Sequence, residues 1–180
     1  MSYGNRLILV DYLDHLELKL CLRVNALSRR EIVRRLFSIV SWLGNYPAWV
    51  GFGLLVAVQQ GPRAAPFAVH ALATAFSGIF IYKFLKKRLV RERPFVTHGE
   101  IVFGTPPLDR YSFPSGHTLH AVSLTILYGA YEPAMLLVMA PFAALVAASR
   151  IVLGLHYPSD VAVGGLLGAV LAVTSLALAG

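Results

Sequence analysis

Five stretches of the chain, roughly 36–59, 64–85, 113–131, 134–153 and 159–179, are apolar for about as long as a bilayer is thick. A helix rises about 1.5 Å per residue, so about 20 apolar residues cross about 30 Å of hydrocarbon. In that solvent every backbone N–H and C=O needs a partner inside the protein. The residue balance agrees with burial in lipid. It is 57% hydrophobic and 14% charged, where a soluble domain is nearer 45–50% and about 25%. The expected fold class is all-α, a multi-pass transmembrane helical bundle of about five spans. Small residues crowd the last two stretches, as in "APFAALVAAS" and "VAVGGLLGAV", and suit close helix contact in lipid. The length fits one compact domain, 1–180, with no internal repeat.

The first 35 residues differ from the rest. Leu9, Leu13, Leu16, Leu20, Val24 and Leu27 recur at three- and four-residue steps. Asp11, Asp14, Lys19 and Arg23 break any continuous apolar run. This predicts an amphipathic helix over 7–27, lying in the membrane interface or packed on the protein's own helices. Basic residues follow in "SRREIVRR". No cleavable secretory signal is expected, because the apolar run before Asp11 is only four residues long and no small-residue cleavage site follows. The single Cys21 excludes an internal disulfide framework and a multi-cysteine metal site. Among leucines it reads as a small buried hydrophobe.

The connections are unequal. Short turns at 60–63 and 131–133 contrast with the long connection 86–112, and loops beyond about 12–15 residues are usually functional. With five spans, residues 1–35, 86–112 and 154–158 share one face. Of 16 Lys and Arg residues, 7 lie in 1–35 and 7 in 83–112; Arg150 falls on the same face and only Arg63 is clearly on the other. The positive-inside rule places that face in the cytoplasm.

Three stretches on this face carry chemistry. In "KKRLVRERP", Lys86 and Arg93 lie about two helical turns apart, until Pro94 stops the helix; a basic membrane border would also account for them. In "FPSGH", Pro114 suits the first position of a helix, which puts Ser115, Gly116 and His117 in its first turn. The free N–H groups and the dipole of such a turn attract an anion. A turn that merely starts a helix is the alternative. In "SRIVLGLHYPSD", Asp160 follows His156 by four residues and could accept a hydrogen bond from its Nδ1–H. An Arg150–Asp160 structural ion pair beside a spectator histidine is the alternative. Together, the fixed positive charges, neutral donors and two titratable rings suit a phosphate-like oxyanion, with one imidazole attacking and the other protonating the leaving oxygen.

The three stretches resemble the tripartite signature of the type-2 phosphatidic acid phosphatase superfamily: K-x6-RP from Lys86 to Pro94, PSGH from Pro114 to His117, and SR-x5-H-x3-D from Ser149 to Asp160. Every signature position matches, within a motif-bearing core of 86–160. The resemblance implies a membrane lipid phosphate phosphatase with a phosphohistidine intermediate. His156 would be the nucleophile, Asp160 its support, and His117 the general acid and then the base that activates water. Lys86, Arg93, Ser115, Gly116 and Arg150 would hold the phosphoryl oxygens. No metal and no other cofactor is implied. Bacterial members commonly have six spans and work on the periplasmic face, whereas here an amphipathic segment stands in place of the first span.

Expected partners are a lipid phosphate and the bilayer of the cell (inner) membrane, with no nucleic acid; the oligomeric state stays open. The substrate could be phosphatidic acid, phosphatidylglycerophosphate, a polyprenyl diphosphate or a phosphorylated lipid A. Alternatives are a lipid phosphotransferase, a vanadate haloperoxidase, which the spans argue against, and a non-catalytic membrane protein. His15, His70, His98 and His120 fall outside the signature and are expected to be structural, although His120 lies one turn after His117 and could line the pocket. Glu100 and Asp109 in the long loop are candidates for substrate selectivity.

Overall fold

The computed structural model describes residues 15–179. All regular structure among them is helical: α1 (15–25), α2 (Glu31–Leu43), α3 (Pro47–Gln60), α4 (Ala64–Leu89), α5 (Pro94–Thr97), α6 (Gly116–Tyr131), α7 (Leu136–Val152) and α8 (Pro158–Ala179). Residues 7–14 of the expected amphipathic helix lie outside the described residues. Segments 47–97, 133–152 and 158–179 are long and apolar enough to cross a membrane. The first of these folds back at Gly61, whose φ of 53° is a left-handed value that glycine adopts without strain. That turn separates α3 from α4.

The stretch expected as one span over 36–59 is instead two helices. Gly44, Asn45 and Tyr46 form a turn between α2 and α3. Pro47 has no N–H to donate and disfavours a helical residue before it. The turn is pinned by the Trp49 indole, which donates to the Gly44 carbonyl at 2.8 Å. A Cβ on Gly44 would meet Val146 at 2.9 Å, so a larger residue there would push α2 off α7.

α6 is the central helix and packs against α3, α4, α7 and α8. It contributes Ala121, Leu124, Leu127 and Tyr128 to a core shared with Trp49, Phe67, Met139 and Val146. The outer helices leave Val58, Phe76, Phe80, Leu137 and Leu178 exposed, as expected of lipid-facing surface. Gly164 and Gly168, one turn apart on α8, face backbone carbonyls of Ser115 and Leu119; added Cβ atoms would lie 2.5 and 2.4 Å from those oxygens. Small residues at this spacing let two helices approach closely. His70 is structural, as expected: its Nδ1 bonds Tyr131 Oη at 2.9 Å and its Nε2 bonds Ser175 Oγ at 2.5 Å, tying α4 to α6 and α8.

The long connection, irregular apart from α5, is held at both ends. Buried Asn25 at the end of α1 donates to the carbonyls of Val102 and Val152 and accepts from Val102 N, all within 2.9 Å. Ser112 N donates to Arg91 O at 2.7 Å. The loop is thus fastened over the end of the bundle where the three signature stretches meet.

Candidate active site

His156 is presented by the turn after α7. Leu155 N and His156 N both donate to the Arg150 carbonyl, at 3.0 and 3.1 Å. Gly154 makes this reversal with φ of 72°, and a Cβ there would lie 2.5 Å from Ile101. The His156 ring is 1% exposed. Arg93 Nη1 approaches His156 Nε2 at 3.1 Å and also donates to the Leu155 carbonyl at 2.7 Å. An arginine only donates, so Nε2 presents its lone pair to the cations and Nδ1 carries the proton. Burial, followed by the charges of Arg93, Arg150 and Lys86, holds the imidazole well below its ordinary range.

Asp160 lies in the first turn of α8 and is fully buried. Its Oδ2 accepts from Tyr157 N at 2.8 Å and lies 3.5 Å from His156 Nδ1. The expected hydrogen bond between these two is therefore a longer electrostatic contact. The carboxylate's main partner is a residue the signature does not include: Arg91 Nη1 donates to Asp160 Oδ1 at 2.8 Å. Arg91 Nη2 donates to Glu17 Oε2 at 2.7 Å, and Glu17 Oε1 accepts from Ser159 N at 2.7 Å. The guanidinium also lies 4.1 Å over the Tyr157 ring. α1 is thus docked on the protein through Glu17, next to the catalytic candidate Asp160.

The PSGH turn is built differently from its expected form. α6 begins at Gly116, not at Pro114, and Ser115 is its cap. Ser115 Oγ bonds Thr118 N at 3.4 Å and Thr118 Oγ1 at 3.0 Å, and Ser115 N donates to the Asp160 carbonyl at 3.0 Å. The hydroxyl oxygen expected to meet a phosphoryl oxygen accepts here from the first turn of the helix. Gly116 and His117 are then the first two helical residues, whose N–H groups have no acceptor within α6. A Cβ on Gly116 would lie 3.1 Å from the Tyr82 ring. His117 Nε2 donates to Asn45 Oδ1. Asn45 comes from the turn that splits the first apolar stretch.

Lys86, Arg93, Gly116, His117 and His156 line one cavity of about 40 Å³. Arg150, fully enclosed at the end of α7, donates to Ser41 Oγ at 2.5 Å and borders a neighbouring cavity together with His117. All eight expected residues therefore gather at one end of the bundle, with Asp160 and Ser115 behind the cavity wall. Asp109 closes the outer side, accepting from Lys86 Nζ and Arg93 Nη2. His120 lines the cavity, with its buried Nδ1 unpartnered among the described residues. An apolar groove of about 270 Å³, lined by Tyr46, Trp49, Val50, Phe76 and Leu124, continues from the cavity between α3, α4 and α6.

Arg91, Glu17 and Asn45 were not singled out by sequence reasoning. A local signal existed only for Asn45, since "GNYP" inside an apolar run is a turn signature.

The fold and site define a class of membrane protein: a multi-pass helical bundle with buried cations and two imidazoles gathered at one end. Comparison identifies that class: the chain belongs to the PAP2 superfamily, whose family model matches residues 67–179. The chain is 38% identical over 122 residues to decaprenylphosphoryl-5-phosphoribose phosphatase of Mycobacterium tuberculosis, covering 67% of this chain and 66% of that protein. It is 34% identical over 138 residues to the protein of the same name from Mycolicibacterium smegmatis, covering 69% and 67%. The chain thus spans about two thirds of the length of these relatives. The fold is similar to that of a transmembrane PAP2-type phosphatidylglycerolphosphate phosphatase from Bacillus subtilis, with a TM-score of 0.74, 18% identity, and coverage of 93% of this chain and 86% of that one. It is also similar to Aquifex aeolicus LpxE, with a TM-score of 0.72, 23% identity, and coverage of 90% and 95%.

Proposed function

We propose that this chain is one membrane-embedded domain that hydrolyses the phosphate of a lipid phosphate through a phosphohistidine. The carrying observation is the approach of His156 Nε2 to buried Arg93, with Lys86 and a second imidazole, His117, lining the same cavity. His156 Nε2 attacks phosphorus, and the bond to the leaving oxygen breaks. His117, entering this step as the imidazolium, gives a ring proton to that oxygen and is left neutral. His117 then takes a proton from water as the water attacks the phosphohistidine, releasing phosphate and freeing His156. Lys86, Arg93, Arg150 and the N–H groups of Gly116 and His117 stabilise the charge that builds on the phosphoryl oxygens. Asp160 supports the positive charge on His156 as the bond forms, and Arg91 holds Asp160 in place.

The apolar groove beside the cavity supports a lipid as carrier of the phosphate. The names of the relatives at 34–38% identity favour a polyprenyl-linked phosphosugar over the other lipid classes. The Lys and Arg distribution supports a cytoplasmic catalytic face. With five spans, a C-terminal alkaline phosphatase fusion is then active, and a fluorescent green fluorescent protein fusion overturns that orientation. The activity is tested by phosphate release from a panel of lipid phosphates in detergent with EDTA present. Release by the wild type and its loss in His156→Ala support the proposal. No release from any lipid phosphate overturns it.

A further inference from the structure

Between two buried cations, Lys86 and Arg93, the position suited to a phosphoryl oxygen is held by a carboxylate of the chain itself. Asp109 Oδ1 accepts from Lys86 Nζ at 2.6 Å and from Arg93 Nη2 at 2.7 Å, and the Asp109 carbonyl accepts from Arg93 Nε at 3.1 Å. The side chains of Lys86 and Arg93 are 7% and 3% exposed, whereas that of Asp109 is 37% exposed. The anion therefore sits on the water side of its partners, on a segment without helix between 98 and 115. Two charged donors converging on one oxygen form the arrangement that binds phosphate oxygens.

We infer that Asp109 is a specificity-determining residue: an internal anion that fills the phosphoryl position of the empty site and must leave before substrate enters. The inference rests on the phosphatase reading above. A ligand that competes with a tethered group binds with its intrinsic affinity reduced by the fraction of molecules in which that group has left. A bilayer is itself a concentrated phase of phosphodiester headgroups, each with one negative charge. Uncovered, Lys86 and Arg93 would collect them. With Asp109 in place, a monoanionic diester gains too little to enter, while a terminal phosphate of about −1.5 to −2 charge still displaces the carboxylate. The same competition expels orthophosphate after turnover, because Asp109 returns to the cations as the product leaves.

The test uses the full chain in detergent micelles, as wild type, Asp109→Asn and Asp109→Ser. Orthophosphate binding is measured by titration calorimetry, which needs no turnover. Both variants are expected to bind orthophosphate at least tenfold more tightly than wild type. Dihexanoyl phosphatidylglycerol, a soluble diester, is expected to inhibit the variants at concentrations that leave wild type unaffected. Unchanged or weaker orthophosphate binding in variants that melt with wild type overturns the inference, and so does equal resistance to the diester. If wild type hydrolyses no lipid phosphate while the variants bind orthophosphate more tightly, the phosphatase reading fails and the placeholder role of Asp109 stands.

Discussion

Replacing Gly164 with alanine tests whether the close approach of α8 to α6 sets the geometry of the site. The added Cβ would lie 2.5 Å from the Ser115 carbonyl oxygen and 3.3 Å from Ser115 Cβ. Real Cβ atoms essentially never come under 3.0 Å, and ordinary contact begins at 3.4 Å, so methyl and carbonyl must part by about 0.5–0.9 Å. Neither side yields easily, because the Ser115 carbonyl accepts from Leu119 N and Ser115 N is bonded to Asp160 O. Moving Ser115 carries with it the first turn of α6, where Gly116 and His117 sit. A misplacement of about 1 Å can cost about 10²-fold in rate, and overpacking costs about 1–3 kcal/mol. Gly164→Ala is therefore expected to lower kcat by about ten- to a hundredfold and to lower the thermal midpoint in detergent. Gly165→Ala is the control, since its Cβ would meet nothing closer than Thr118 Cγ2 at 3.7 Å. Alanine is also the better helix former by up to about 1 kcal/mol. Kinetics with a soluble short-chain lipid phosphate and a melting curve read both variants. If Gly164→Ala matches Gly165→Ala in rate and midpoint, the α6–α8 contact does not hold the site and the reasoning fails.

Arg91→Met removes the 2.8 Å partner of fully buried Asp160; stranding such a charge costs about 3–5 kcal/mol, so a clear drop in thermal midpoint is expected, and a wild-type midpoint would show that Asp160 does not depend on Arg91. The depressed His156 imidazole means that the unfolded chain takes up a proton near pH 6.5 which the folded site refuses. Stability should therefore fall as pH drops below about 6.5 and be insensitive to this group above it, and the acid limb of kcat/KM should lie below pH 6.5; a limb at or above that pH counts against a neutral, buried nucleophile. Cys21 is fully buried, and burial followed by Glu17 pushes its thiol up to about 12. Maleimide at pH 7.5 should label it only after denaturation, and rapid labelling of the native protein would contradict the docked position of α1.

The helical class and the gathering of the signature residues were legible in the sequence, because both rest on local patterns. A bilayer-long apolar run needs no partner to be read as a helix, and K-x6-RP, PSGH and SR-x5-H-x3-D fix residue types at fixed offsets. What was not legible depends on contacts between distant segments. Asn45 reaches His117 across 72 residues, and Glu17 reaches Ser159 across 142. Neither spacing leaves a trace in the chain. The split of the first apolar stretch followed from "GNYP", whose turn chemistry a hydropathy reading passes over. Ser115 illustrates a different difficulty: a hydroxyl at a helix start can serve a ligand or the helix, and only the geometry shows that it caps Thr118.

The contact between α1 and the start of α8 also imposes an order in time. Glu17 and Arg91, 74 residues apart, can meet once α4 has been synthesised. Asp160 arrives only with α8, carried on its leading turn. Until then the guanidinium waits at the membrane border with only part of its charge answered. A chain that stalls before residue 158 has made Lys86, Arg93, His117 and Arg150 but has nothing to dock beneath them. The insertion of α8 thus closes the site, and a chain terminated before it leaves an open dock.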